Sequence, residues 1–248
     1  MSTVTWKRPA LVSWHRGGQE LAPHATREAF LRAISHGAEL IEIDVRQTCD
    51  GHLVCWHDDT TPNSLPLANQ TLESVQGQGD VMLWTEFLDA LDSGDPDRTI
   101  GIHLDLKDVG YEVATVAGLV KRRQPFFVTS LEQSSIALLR HEFPDEDAFL
   151  TIGRARGQRG PFSYAILRLS EVFPMWNIHR THATGVAIHY LLLRPHLVRW
   201  FRRRNIRVVV WTVNSSAALQ SALASDVVDA VTTNFPLKAL GLRQSFEG

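Results

Sequence analysis

The chain has 248 residues, 44% hydrophobic and 21% charged, a balance that excludes a disordered or fibrous protein and allows one large domain or two small ones. Its 25 basic and 27 acidic residues leave a formal net charge of −2, so no global field draws it to nucleic acid or to an anionic membrane. No run approaches the ~18 apolar residues of a membrane span. The opening M-S-T-V-T-W-K-R-P-A has no apolar leader core, and two cysteines make no disulfide framework. A cytoplasmic protein with no integral membrane segment and no nucleic-acid partner is expected.

In chain order, a first strand over 10–14 runs through Trp14 into His15-Arg16-Gly17-Gly18. Thr26 can cap a helix whose apolar face is Phe30, Leu31, Ala33 and Ile34, with Gly37 as its stop. A second strand is expected over 40–45. Val54-Cys55-Trp56-His57-Asp58 then repeats the opening pattern, an apolar lead-in followed by Trp, His and polar residues. Cys49 and Cys55 flank Asp50-Gly51, a turn signal that could set them across a hairpin; reduced, half-buried thiols are expected. Helices are predicted over 84–91, 111–122, 133–142, 195–204 and 215–224. Further strands are predicted over 99–106, 125–129, 148–152, 185–189, 207–213 and 229–233. R-A-R-G-Q-R-G, residues 154–160, reads as a long loop at a strand end. Arg199, Arg202, Arg203, Arg204 and Arg207 cluster; a solvated helix end accounts for them more simply than an anion patch.

Eight strands alternating with helices call for a parallel sheet, because parallel neighbours need crossover connections. In about 250 residues this matches a closed (β/α)8 TIM barrel, α/β in class, with 1–248 as a single domain. An open doubly wound sheet is the alternative, but no G-x-G-x-x-G follows the first strand. The connection from His57 to Trp84 is short, so any insertion there is small or absent. In a barrel, chemistry belongs just past the carboxyl ends of the strands.

That is where the unusual residues fall. His15 closes the first strand. Glu42 and Asp44 in I-E-I-D-V share one face of the second strand, about 7 Å apart, while Ile41, Ile43 and Val45 face the helices. His57 and Asp58 end the second Trp-His segment. H-L-D-L-K sets His103, Asp105 and Lys107 on one face of the third strand. Carboxylates buried in a barrel mouth need a compensating cation. Three of them, with no thiolate or histidine pair at zinc spacing, suggest one hard divalent ion, Mg²⁺ or Ca²⁺. Glu42, Asp44 and Asp105 with that ion leave −1; a phosphodiester adds −1, and Arg16 with Lys107 restores neutrality. Two histidines then supply an acid and a base that titrate near neutral pH. Each motif alone is weak, and a histidine at a strand end is more often a structural hydrogen-bonder. Their coincidence at neighbouring strand ends is what points to a site.

At these residues the sequence resembles the glycerophosphodiester phosphodiesterase family. The resemblance rests on His15-Arg16-Gly17, Pro23-His24-Ala25-Thr26, Gly37-Ala38, Ile41-Glu42-Ile43-Asp44-Val45, Thr48-Cys49-Asp50-Gly51 and Val54-Cys55-Trp56-His57-Asp58. Asp105-Leu106-Lys107, Val210-Trp211-Thr212-Val213-Asn214 and the stretch from Val228 to Pro236 extend it over nearly the whole chain. It implies a TIM barrel that hydrolyses glycerophosphodiesters, small-molecule substrates, to glycerol 3-phosphate and an alcohol. It implies a metal held by Glu42, Asp44 and Asp105, with His15 and His57 as the acid–base pair; His15 as base and His57 as acid is the assignment adopted. Trp211 either packs the core or meets the substrate's glycerol, and His189 and Ser130 are further strand-end candidates.

Two residues depart from the family pattern. His24 stands where it has glutamate, and Asp105 is one methylene shorter than its third-strand glutamate. Sphingomyelinase D and phospholipase D barrels also carry aspartate there, so lysolipids are an alternative substrate class. A weakened phosphate-binding homologue is another alternative. Trp14 and Trp56 should anchor outward in the helix layer, each presenting the histidine that follows it at the mouth.

Overall fold

The computed structural model describes residues 4–153 and 174–247. The loop expected over 154–160 lies outside the described residues. The strands are β1 (Leu11–His15), β2 (Leu40–Gln47), β3 (Leu53–Cys55), β4 (Gly101–Leu106), β5 (Phe126–Ser130), β6 (Ala148–Ile152), β7 (Gly185–His189), β8 (Arg207–Trp211) and β9 (Ala230–Thr233). The described helices are α1 (Arg27–Ser35), α2 (Leu72–Gln76), α3 (Trp84–Gly94), α4 (Glu112–Arg122), α5 (Gln133–Glu142), α6 (Met175–Thr181), α7 (Pro195–Arg204), α8 (Ser216–Leu223) and α9 (Pro236–Glu247).

Eight parallel strands pair in the order β1-β2-β4-β5-β6-β7-β8-β9, and β9 returns to β1. The sheet therefore closes into the expected (β/α)8 barrel, which leaves no parallel edge unpaired. The ninth strand, β3, was not among the eight expected. It is antiparallel to β2, with Val45 opposite Cys55. The turn at Asp50-Gly51 makes this hairpin, and Thr48 N–H donates to the His52 carbonyl at 2.9 Å. Cys49 lies exposed in the turn and Cys55 is buried, both free, so the thiols do not face each other. The strand expected over 207–213 ends at Trp211, and Val213 N–H instead bonds the Thr232 carbonyl at 2.9 Å.

Alternation sorts each strand into two layers. Trp14, Ile41, Ile43, Val45, Ile102 and Leu104 pack outward with Phe30, Ala33, Ile34 and Phe87 of the helices. Leu11, Leu40, Phe127, Phe149, Ala187, Val209 and Ala230 fill the barrel interior with Val4, and Trp6 packs against them. Trp6 stacks on Phe149 at 5.6 Å and its Nε1 donates to Asp147 at 3.0 Å, so the amino-terminal segment floors the barrel. Trp14 is anchored as expected. Trp56 sits elsewhere, against a small cluster of Val54, Leu67, Val75 and Val81 formed by the segment between β3 and α3. Among the described residues, three helices escaped the sequence reading. α2 is five residues long, too short to show a period; α6 and α9 carry no clean apolar stripe. Most of the arginine cluster is a solvated helix end, with Arg202, Arg203 and Arg204 exposed at the carboxyl end of α7, which favours cations; Arg207 instead opens β8 and pairs with Asp229 at 3.2 Å.

Candidate active site

β1 hands over to α1 through three consecutive residues of positive φ: Arg16 at 51°, Gly17 at 80° and Gly18 at 79°. A Cβ at Gly17 would lie 2.6 Å from the Ala29 backbone carbon, so glycine alone lets this turn lie against α1. Thr26 caps α1 by accepting from Ala29 N–H, as expected, and Gly37 (φ 64°) follows its end. The tight spiral places His15 and Arg16 over the second strand. Arg16 N–H donates to Glu42 Oε2 at 2.9 Å, and Arg16 Nε lies 2.9 Å from Asp44 Oδ2. Holding a non-glycine residue in the left-handed region costs on the order of 1 kcal/mol or more, and these two carboxylate contacts compensate it.

The strand register brings the acidic side chains together. β1 sets His15 beside Glu42, and β2 sets Asp44 beside Asp105 of β4. Oxygens of Glu42, Asp44 and Asp105 all lie within 4.8 Å of one another, with Glu42 and Asp44 buried. Lys107, the first residue past β4, reaches back over them. Its Nζ is 2.7 Å from Asp44 Oδ1 and in short contact with Asp105 Oδ2.

Three carboxylates and two cations leave this buried cluster at −1, and the charges sort unequally. Burial raises the Asp44 carboxyl, but Lys107 and Arg16 outweigh it and hold Asp44 well below the usual range. Burial, reinforced by the Asp44 charge, pushes the Glu42 carboxyl well up. Burial opposes the Lys107 charge, yet Asp105, Asp44 and Glu42 prevail and raise its pKa. Asp44 Oδ1 is buried, with the Lys107 ammonium at 2.7 Å facing it. Three carboxylates whose oxygens lie within 4.8 Å of one another, two of them buried, suit a hard cation. The residues present therefore fit a divalent ion.

Two imidazoles border the cluster. His15 Nδ1 is 2.5 Å from Asn234 Oδ1, an acceptor, so Nδ1 carries the proton and Nε2 presents a lone pair. Burial and then the Arg16 charge lower the His15 pKa to about 4, so the ring is neutral. Asn234 is itself held by Asn214, whose Oδ1 accepts its backbone N–H at 3.0 Å. His57 follows β3 and is more open, with 40% of its side chain exposed and Nδ1 2.7 Å from Asp58 Oδ1. Burial lowers its pKa; Lys107 and Arg16 add to the effect, while Asp44 and Asp58 oppose it. Arg46 pins the segment, donating from Nε to the His57 carbonyl at 2.9 Å and from Nη1 to both Asp108 oxygens. His24 lies with its ring 6.4 Å from that of His15, so a further imidazole stands where the family pattern has a carboxylate.

Trp211 ends β8 inside the barrel, with its Nε1 buried and lacking a hydrogen-bond partner. His189 meets the Trp211 ring edge-on at 5.4 Å. Ser130, by contrast, serves the fold: its Oγ donates to the Leu106 carbonyl at 2.8 Å and accepts from Glu132 N–H. Asn234 and Arg46 were given no role in the sequence reading. Only the close of the last strand at N-F-P hinted at the first, and nothing local marks the second.

Fold and site together define a class, the (β/α)8 barrels whose mouth joins a carboxylate cluster fit for a hard cation to two imidazoles. The model of the glycerophosphoryl diester phosphodiesterase family matches residues 15–238. A glycerophosphodiester phosphodiesterase from Caldanaerobacter subterraneus subsp. tengcongensis is 40% identical, over 94% of this chain and 97% of that one. Two solved structures share the fold at low identity. A glycerophosphodiester phosphodiesterase from Parabacteroides distasonis has a TM-score of 0.75 at 18% identity, covering 98% of this chain and 100% of its own. An Oleispira antarctica phosphodiesterase, in complex with the product sn-glycerol-3-phosphate, has a TM-score of 0.71 at 19% identity, covering 96% and 97%. The chain belongs to the glycerophosphoryl diester phosphodiesterase family.

Proposed function

We propose that the protein, acting as one domain over 1–248, hydrolyses glycerophosphodiesters to sn-glycerol 3-phosphate and an alcohol. The observation that carries this reading is the convergence of Glu42, Asp44 and Asp105 on one point beside His15 in a member of this family. The product bound to the Oleispira relative supports the glycerol phosphate half of the substrate.

In this reading Glu42, Asp44 and Asp105 hold one Mg²⁺ or Ca²⁺. When bound, the ion supplies Lewis-acid polarisation of the phosphoryl oxygen. Arg16 and Lys107 keep N–H groups beyond those facing Asp44 and Asp105, and these bind the phosphodiester. His15, neutral with Nε2 free to accept, takes the proton from the attacking oxygen. Asn234 keeps that tautomer and stabilises the imidazolium that forms, since its Oδ1 faces Nδ1–H in both states. His57 protonates the leaving alkoxide, and Asp58 at 2.7 Å supports its charged form. Trp211 meets the glycerol with its unpartnered Nε1–H. Two free cysteines agree with a reducing, cytoplasmic setting.

The test is hydrolysis of glycerophosphocholine with Mg²⁺ or Ca²⁺ added and with a chelator. Release of glycerol 3-phosphate that needs the cation, and that falls by about 10²- to 10⁴-fold in His15→Ala, is expected. No turnover with either cation, or turnover unchanged in His15→Ala, would contradict the reading.

A further inference from the structure

Beneath the carboxylate cluster lies a buried polar chain that the reaction scheme does not use. Ser13 Oγ is 3.2 Å from His103 Nδ1, His103 Nε2 is 3.1 Å from Thr129 Oγ1, and Thr129 Oγ1 is 2.6 Å from Asp105 Oδ1. Ser13, His103 and Thr129 are all buried, in a barrel whose interior is otherwise closed below by Phe127 and Phe149. The His103 ring stacks on Phe127 at 4.5 Å, which fixes its plane.

The proton positions follow from counting donors. Asp105, paired with Lys107, only accepts, so Thr129 spends its single proton there. The Leu104 carbonyl, 3.5 Å from Thr129 Oγ1, is a weaker claimant than a carboxylate at 2.6 Å. His103 Nε2 must then donate to Thr129. A neutral imidazole has one donor and one acceptor, so Nδ1 accepts from the Ser13 hydroxyl. Every donor points the same way, from β1 through β4 and β5 to Asp105. Reversing any link would set two donors or two lone pairs against each other in a buried site.

We propose that Thr129 and His103 are positioning residues that act through Asp105. The one-way chain from Ser13 holds Oδ1 of Asp105, while Oδ2 faces the Lys107 ammonium that it shares with Asp44. The inference rests on the reading of Glu42, Asp44 and Asp105 as a cation site. It adds that the site is pre-set from below by neutral groups. A ligating carboxylate with one oxygen already bonded needs no reorientation when a cation binds, and loss of such outer partners typically weakens metal binding about 10- to 100-fold.

The experiment titrates Mg²⁺ and, separately, Ca²⁺ into the full chain, reading affinity from calorimetry and from the cation-induced rise in melting temperature over each variant's own metal-free value. Thr129→Val keeps the shape and removes the hydroxyl; its affinity is expected to fall about 10- to 100-fold. Thr129→Ser restores the donor and should bind close to wild type. His103→Gln keeps an amide N–H toward Thr129 and should bind better than His103→Leu, a comparison that decides the matter even where Thr129→Val folds poorly. At saturating cation, Thr129→Val should recover most of the wild-type kcat, because the chain touches no reacting atom. Cation affinity in Thr129→Val within about threefold of wild type, where the hydroxyl's loss should cost tenfold or more, would overturn the proposal. So would His103→Leu and His103→Gln binding alike. A wild type that binds no cation would reject the cation site itself, a result distinct from a wild type and a Thr129→Val that bind equally well.

Discussion

His15 and His57 show how two copies of one side chain acquire different tasks. His15 is enclosed, faces an acceptor through Nδ1 and sits beside Arg16, so it is held neutral with a free lone pair. His57 is more open and has a carboxylate on Nδ1, a setting in which a protonated ring is better tolerated. If His57 is the acid, its loss should matter most when the leaving group needs a proton. His57→Ala is expected to lose about 10²- to 10⁴-fold in kcat on glycerophosphocholine. On a p-nitrophenyl diester, whose phenolate leaves unprotonated, the loss should be far smaller. Equal losses on the two substrates would contradict the assignment and point to His57 as a base or a positioning group. The chemistry-bearing side chains were legible in the sequence because strand alternation is local: Glu42 and Asp44 two apart must share a face, as must His103 and Asp105. Asn234 was not, because it meets His15 across 219 positions of sequence, where no local period reaches.

At the level of elements, strands were read more surely than helices. β2 announces itself by an unbroken apolar alternation around its two acids, whereas α2 depends on Thr71 capping five residues. β3 hid within the Trp-His segment because a three-residue strand has no period of its own. The amino-terminal end of the barrel is stapled by a different acid. Glu39, just before β2, accepts from Arg243 of α9 at 2.7 and 3.0 Å and from Val12 N–H at 3.0 Å, and pairs with Lys7 at 2.6 Å. Burial raises its carboxyl, but Arg243, Lys7 and the Val12 amide outweigh burial and leave it below the ordinary 4.5. A depressed carboxylate stabilises the fold above its unfolded-state pKa and loses that contribution as pH falls through the folded value. Glu39→Gln should therefore cost about 2 kcal/mol at neutral pH, a drop in Tm of about 4–8 °C for a chain of this size. The gap between variant and wild type should narrow as pH falls below the ordinary 4.5 and through the depressed folded value. A gap that stays constant into acid would show that Glu39 contributes by shape and not by charge.

Across the whole molecule, the barrel interior grades from apolar floor to ionic mouth. Trp6, Phe127 and Phe149 close the bottom, Ser13, His103 and Thr129 form a neutral hydrogen-bonded tier, and Glu42, Asp44, Asp105, Arg16 and Lys107 crown it. The order has a physical logic. The charges lie above the neutral tier, and the apolar tiers below keep the frame rigid. His15 ends β1, Asp105 and Lys107 lie at and just past the end of β4, and Glu42 and Asp44 sit within β2 in register with His15 and Asp105, so closing the barrel is what assembles the site. The central claim is that Glu42, Asp44 and Asp105 share one divalent ion. Its most direct measurement is the anomalous difference map from crystals of the protein soaked in Mn²⁺, a stand-in with the same oxygen preference. The account predicts a single strong peak at the barrel mouth within about 2.0–2.6 Å of an oxygen from each of the three carboxylates. A map with no peak there, or with the ion held by other residues, would contradict it.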